Sequence, residues 1–203
     1  MIGVLRAPTL VAVIVVAAGP LIAGPEQPAA ADVEIVYRTI SSRPMAERRA
    51  IYRALSPAVR AALWKRQLDT FLSEHPDAPA EQRELVGLAL TLLTARTFEL
   101  QRGTPEWDGE VGAPMQRLTE AVRRVFPRHT AAALFAQLGP ADPARELASG
   151  SGRWRGVTHS VDYCDCTRAD DWCWFSDCVG SICYKDEGCG TWWQYECTSR
   201  CGS

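Results

Sequence analysis

All eight cysteines of the chain, Cys164, Cys166, Cys173, Cys178, Cys183, Cys189, Cys197 and Cys201, fall in its last forty or so residues, and none occurs before them. An even number of cysteines in so short a stretch reads as a disulfide framework wherever the compartment is oxidising. A segment of about 40 residues buries too little apolar surface to offset its ordering entropy unaided. Disulfides, at about 2–4 kcal/mol each, supply what the core lacks. The expectation for residues 161–203 is therefore a four-disulfide module of loops and short strands. The spacing C-x-C-x6-C-x4-C-x4-C-x5-C-x7-C-x3-C contains no C-x-x-C. It offers neither the close thiolate pairs of zinc ribbons nor a thioredoxin-type redox pair, so no metal or cofactor is expected there. Pairing stays open among the 105 connectivities of eight cysteines. Only Cys164 with Cys166 is disfavoured, because the ring between them would be strained.

The N-terminus accounts for the oxidising compartment. Arg6 precedes an apolar run, Leu10 to Ala18, bracketed by Pro8 and Pro20. That run is shorter than the roughly 20 residues that cross a bilayer. Ala29-Ala30-Ala31 places small side chains where a signal peptidase needs them, with cleavage expected after Ala31. Residues 1–31 read as a secretory signal, the mature chain as extracellular, with no stable membrane span after cleavage.

Residues 32–147 carry helical periodicity and read as a small helical bundle. Met45 to Leu55 is a first helix. Ser56-Pro57 is an N-cap followed by a proline at the first helical position. The helix it opens sets Val59, Leu63, Leu68, Phe71 and Leu72 on one face and stops at His75-Pro76. A further helix starts near Asp77 or Pro79, with Leu85, Leu88, Ala89, Leu92 and Leu93 as its apolar stripe. Two shorter ones follow, one after Pro114 (Leu118, Val122, Val125) and one over Thr130 to Leu138, ending at Gly139-Pro140.

Chemistry is sparse in this region. His75 and His129 lack the second histidine at i+4 that makes a metal face. Glu106-Trp107-Asp108-Gly109-Glu110 lacks the alternating register of a calcium loop and reads as a solvated loop. No nucleophile elbow, HExxH or phosphate-binding glycine loop is present, so no catalytic residue is assigned. A net charge of −2 gives no reason to expect nucleic acid.

Residues 148–160 change character through Ser149-Gly150-Ser151-Gly152, followed by Arg153 and Arg155. Such a stretch suits a flexible linker open to a processing protease, and it suits a plain interdomain linker equally well.

Between the cysteines lie Tyr163, Trp172, Trp174, Phe175, Tyr184, Trp192, Trp193 and Tyr195. A tiny disulfide core hides only part of so much aromatic surface. Trp172, Trp174, Tyr184, Trp192, Trp193 and Tyr195 are the candidate recognition residues. An extended Trp192-Trp193 pair would point one ring inward and one outward. Eight acids face only Arg168, Lys185 and Arg200 between residues 161 and 203, a net charge of −5. Anionic bilayers repel such a module, which favours a defined receptor or envelope target.

At Cys164-Asp165-Cys166, Asp171-Trp172-Cys173 and Gly188-Cys189-Gly190-Thr191-Trp192-Trp193, with Tyr195 two residues before Cys197, the tail resembles the family of bacteriocins related to fulvocin C. The resemblance covers roughly Tyr163 to Cys201, with a final Cys197-x3-Cys201 gap wider than the family pattern. It implies a secreted antibacterial peptide made as a larger precursor, without enzymatic activity. Its helical part would be the pro-region, and its partners an envelope or cell-surface target on competing bacteria, signal peptidase and a processing protease. The alternative is a permanently two-domain secreted protein whose tail is a binding or inhibitor module.

Overall fold

The computed structural model describes residues 28–139, 164–173, 177–180 and 183–202. Helices come first: α1 (Ala30–Ser41), α2 (Met45–Arg53), α3 (Pro57–Glu74), α4 (Ala80–Leu92), α5 (Ala95–Glu99), α6 (Pro105–Trp107), a π-turn (Asp108–Gly112), α7 (Ala113–Val125) and α8 (Arg128–Phe135). Then come four short strands, β1 (Asp177–Val179), β2 (Asp186–Cys189), β3 (Tyr195–Cys197) and β4 (Arg200–Gly202). A helical region thus precedes a disulfide-rich module with short antiparallel strands. No helix among the described residues is long and apolar enough to cross a membrane.

Local chemistry explains the helix limits. Ser56 caps α3 by accepting the Val59 N–H at 3.4 Å, with Pro57 at the first position. Thr94 and Thr97 close a reciprocal cap on α5. The central helix α3 packs against α1, α4 and α5, and α4 packs against α7. Leu63, Trp64 and Leu68 from α3 meet Val86 and Ala89 from α4 and Met115, Leu118 and Val122 from α7.

A buried glutamine organises the end of the bundle. Gln67 donates to the carbonyls of Ala133, Leu134 and Gln137, and its Oε1 accepts the Gly139 N–H at 2.8 Å and the Tyr37 hydroxyl at 3.1 Å. Arg48, also buried, donates to the Leu138 carbonyl at 3.1 Å. These bonds satisfy backbone groups that the end of α8 would otherwise leave unpaired.

Four expectations need correction. The helix expected over Thr130 to Leu138 runs Arg128–Phe135 and ends at Ala136, before Gly139. A helix precedes Met45: α1 buries Val33 and Ile40, and its first turn contains Ala31. The stripe of α4 is rotated by about one residue, since Val86, Ala89 and Leu93 are buried while Leu88 is 47% exposed. The segment 106–110 is helical rather than a solvated loop. Trp107 is buried there, and Glu110 pairs with Arg96 at 3.2 Å.

All eight cysteines are oxidised, as Cys164–Cys183, Cys166–Cys178, Cys173–Cys201 and Cys189–Cys197. Every bridge is internal to the module. Strand β1 pairs with β4, placing Cys178 opposite Cys201, and β2 pairs with β3, placing Asp186 opposite Cys197. Cys166, Cys173 and Cys178 lie close enough to share a metal. Their sulfurs are consumed in two separate bridges and offer no thiolate.

Candidate functional site

The connection between β2 and β3 is built from unusual parts. Gly188 and Gly190 have φ of +95° and +72°, and a side chain on Gly190 would collide with the Tyr195 ring and the Asp170 carboxylate. Trp192 and Trp193 follow with φ of 52° and 57°, both left-handed, and the Gln194 N–H closes the turn on the Thr191 carbonyl at 3.2 Å. Hairpin turns of this hand ordinarily use Asn-Gly, because a side chain costs roughly 1–2 kcal/mol per left-handed residue.

Packing against the helices repays that cost. Trp193 stands edge-on to Tyr52, with centroids 5.0 Å apart, and to Trp64, at 5.6 Å. Its indole N–H donates to the Ala136 carbonyl at 2.8 Å. Trp192 is fully buried, and its carbonyl accepts the Tyr52 hydroxyl at 3.4 Å. Tyr52 in turn accepts the Trp64 indole N–H at 2.9 Å, so one phenol links the two regions. Burial holds the Tyr52 phenol well above its ordinary range. Trp172 lies parallel to Phe135, its centroid 6.4 Å away. An aromatic ring buries about 150–250 Å², worth about 4–6 kcal/mol at ~25 cal/mol/Å² as an upper bound, which exceeds the strain of the turn.

A polar seam surrounds these rings. The Thr119 hydroxyl meets that of Thr191 at 2.9 Å, and Thr191 also accepts the Trp172 indole N–H at 3.0 Å. Asp170, only 4% exposed, accepts the Thr191 N–H and bonds Arg123 at 2.8 Å. Arg123 also donates to the Asp171 carbonyl and lies over the Trp172 ring at 4.8 Å. Burial raises the Asp170 carboxyl above its ordinary value, opposed by the Thr191 bonds and the Arg123 charge. Arg128 approaches Asp171 at 3.7 Å, and Arg53 pairs with Asp186. Arg49 donates to the Asp165 carbonyl at 3.4 Å and runs its stem beneath Gly188. Tyr195 stands edge-on to Trp107 under the guanidinium of Arg102, and burial pushes its phenol up to about 12.

The candidate recognition residues therefore divide. Trp172, Trp192 and Trp193 are not exposed in the intact chain: all three belong to one apolar core with the helices. Trp192 and Trp193 do not form an extended pair with one ring buried and one exposed: both are left-handed and both are buried in the shared core. Tyr195 is half-buried, whereas Tyr184 is 65% exposed. Trp174, Arg153 and Arg155 lie outside the described residues.

Sequence reasoning missed the helical half of the site, Tyr52, Trp64, Thr119 and Arg123. It also missed the inward use of the acids. Asp171 accepts the N–H groups of Cys173 and Cys178 at 2.8 and 2.9 Å, and Asp165 accepts that of Cys201 at 2.8 Å. These carboxylates brace the backbone beside the disulfides.

The seam is closely packed. A cavity within it measures about 20 Å³, the space of one water molecule, and touches Met45, Arg49, Gln137 and Asp165. A larger open groove of about 800 Å³, between α1, α3 and α5, is lined by none of the candidate recognition residues, although Ala30 and Val33, which flank the expected cleavage at Ala31, border it. Set against family models, curated proteins and solved structures, the chain finds no match.

Proposed function

We propose that the chain is the exported precursor of a bacteriocin-like peptide. Residues 161–203 are the active module, directed at an envelope target of competing bacteria, and the helices are its pro-region. The observation that carries this reading is the burial of Trp172, Trp192 and Trp193 beneath the helices with no disulfide joining the two regions. A stapled module with a large apolar face is soluble while that face is covered and competent to bind once it is uncovered. The segment Gly188 to Trp193, which carries the resemblance to the fulvocin C-related family, is also the segment that meets the helices. The signal-like N-terminus and the arginines near the linker supply export and cleavage.

Intact-mass spectrometry of the secreted product, with and without reduction, is the test. A fragment of the last forty to fifty residues that gains eight hydrogens on reduction and kills sensitive bacteria supports the reading. A product that begins near Asp32, stays whole and still kills refutes the processing step.

The second reading is a permanently two-domain binding or inhibitor protein. The exposed Tyr184 and Val179 favour it, since they offer a recognition surface while the helices stay in place. Loss of target capture on Tyr184→Ala, with the chain uncut, would select this reading.

A further inference from the structure

We infer that cutting the connecting segment does not release the disulfide module: the helical region remains bound to it as a non-covalent inhibitor, so activation needs a second, separate step. The inference deepens the precursor reading and rests on it only for the natural occasion of cleavage.

Three observations carry it. First, the contact between the two regions has the anatomy of a tight protein–protein interface, with a buried aromatic centre and a charged rim. Trp193 fills a socket of Tyr52 and Trp64 and is hydrogen-bonded at its far end to Ala136. Around it stand the Thr119–Thr191, Arg123–Asp170, Arg128–Asp171 and Arg53–Asp186 pairs. Second, none of these contacts uses residues 140–163, which join the two regions, so cutting there removes no described contact. Third, charge is complementary. The acidic module places Asp170, Asp171 and Asp186 against arginines of the helices, which favours re-association of separated parts.

The turn itself supplies a way out of the bound state. Trp192 and Trp193 are held in left-handed backbone, and the buried indole N–H of Trp192 has no hydrogen-bond partner among the described residues. Both features cost free energy that only burial in the helices offsets. Once the helices are degraded or displaced, the turn relaxes, both indoles reach solvent or a partner, and the module no longer returns to the same shape without its template. Cleavage primes the complex, and removal of the helices arms it.

The experiment uses the full chain with Ser149–Gly152 replaced by the site of a sequence-specific protease. The oxidised protein is cut to completion and examined by gel filtration and native mass spectrometry in physiological salt at about 1 μM, where a complex of submicromolar Kd stays together. The expected result is a single 1:1 complex. Two separate species would overturn the inference. Trp193→Ala should weaken the cut complex about 30-fold or more. Because that variant also alters the turn, a second pair supplies an independent reading. Arg53→Glu should weaken the complex several-fold, and Arg53→Glu with Asp186→Arg should restore it. Association unchanged by all of these variants would also overturn the inference.

The outcomes separate it from the parent reading. Fragments that part on cutting and then kill refute the inference alone. A complex that holds, with a module that never kills after the helices are digested, supports the inference and refutes the bacteriocin reading.

Discussion

At the residue scale, Tyr52 is the joint of the molecule. Its hydroxyl accepts from Trp64 and donates to Trp192, while its ring faces Trp193 and Phe98. Tyr52→Phe keeps the rings in place and leaves the Trp64 indole N–H unpaired, so a loss of about 1–3 kcal/mol is expected in urea unfolding. Trp193→Ala empties the socket and should cost about 3–5 kcal/mol by the same measurement. Asp170 sets a pH dependence. Its folded value lies above its ordinary 3.8, so the folded state holds the proton more tightly. The stability this contributes is full below 3.8 and is lost as pH rises through the folded value. The Thr191 bonds and the Arg123 charge oppose the effect of burial without reversing it. Asp170→Asn, neutral throughout, should flatten the stability–pH slope, which a urea series across mildly acidic pH would read.

At the element scale, Trp107, the last residue of α6 before the π-turn, meets the module at Tyr195. A side chain on Gly112 would drive into the Trp107 ring, which stands edge-on to Tyr195. Gly112→Ala should therefore overpack this corner and cost about 1–3 kcal/mol, read as a lowered unfolding midpoint. The elements also show what a linear sequence carries. The cap at Ser56-Pro57 and the stop at His75-Pro76 were legible, because each is a local contest between side chain and backbone, whereas the last helix ends at Phe135, short of the exit expected at Gly139. Helix α1 was less so: Val33, Ile35 and Val36 are β-branched, and Val33, Val36, Tyr37 and Ile40 make a stripe only once the chain is known to be helical. The α4 stripe was misplaced because five leucines and alanines fit two neighbouring faces, and only the packing of α7 chooses Val86. The clustered aromatics marked the module's half of the site. Its other half, scattered over α2, α3 and α7, shares no local pattern, since the pairing of Tyr52 with Trp193 exists only in three dimensions.

At the scale of the whole molecule, two stabilising strategies meet at one seam. The helices contain no cysteine and depend on burial, whereas the module depends on four bridges. Reduction should consequently act on one half. With dithiothreitol, far-UV helicity should largely persist while tryptophan emission shifts to the red, as Trp172, Trp192 and Trp193 lose their cover. Simultaneous loss of both signals would show that the helices depend on the module as much as the module depends on them.

The location of the bridges also bears on synthesis. Every residue of the helices precedes Cys164 in the chain, and no bridge involves them. A helical region that folds before the bridges close would offer Trp193 its socket of Tyr52 and Trp64 while the cysteines still exchange partners. It would then favour, among 105 connectivities, those that set β2 and β3 side by side. On that order of events the N-terminal half is a mould, and oxidative refolding of residues 161–203 alone should give a more mixed disulfide pattern than refolding of the whole chain.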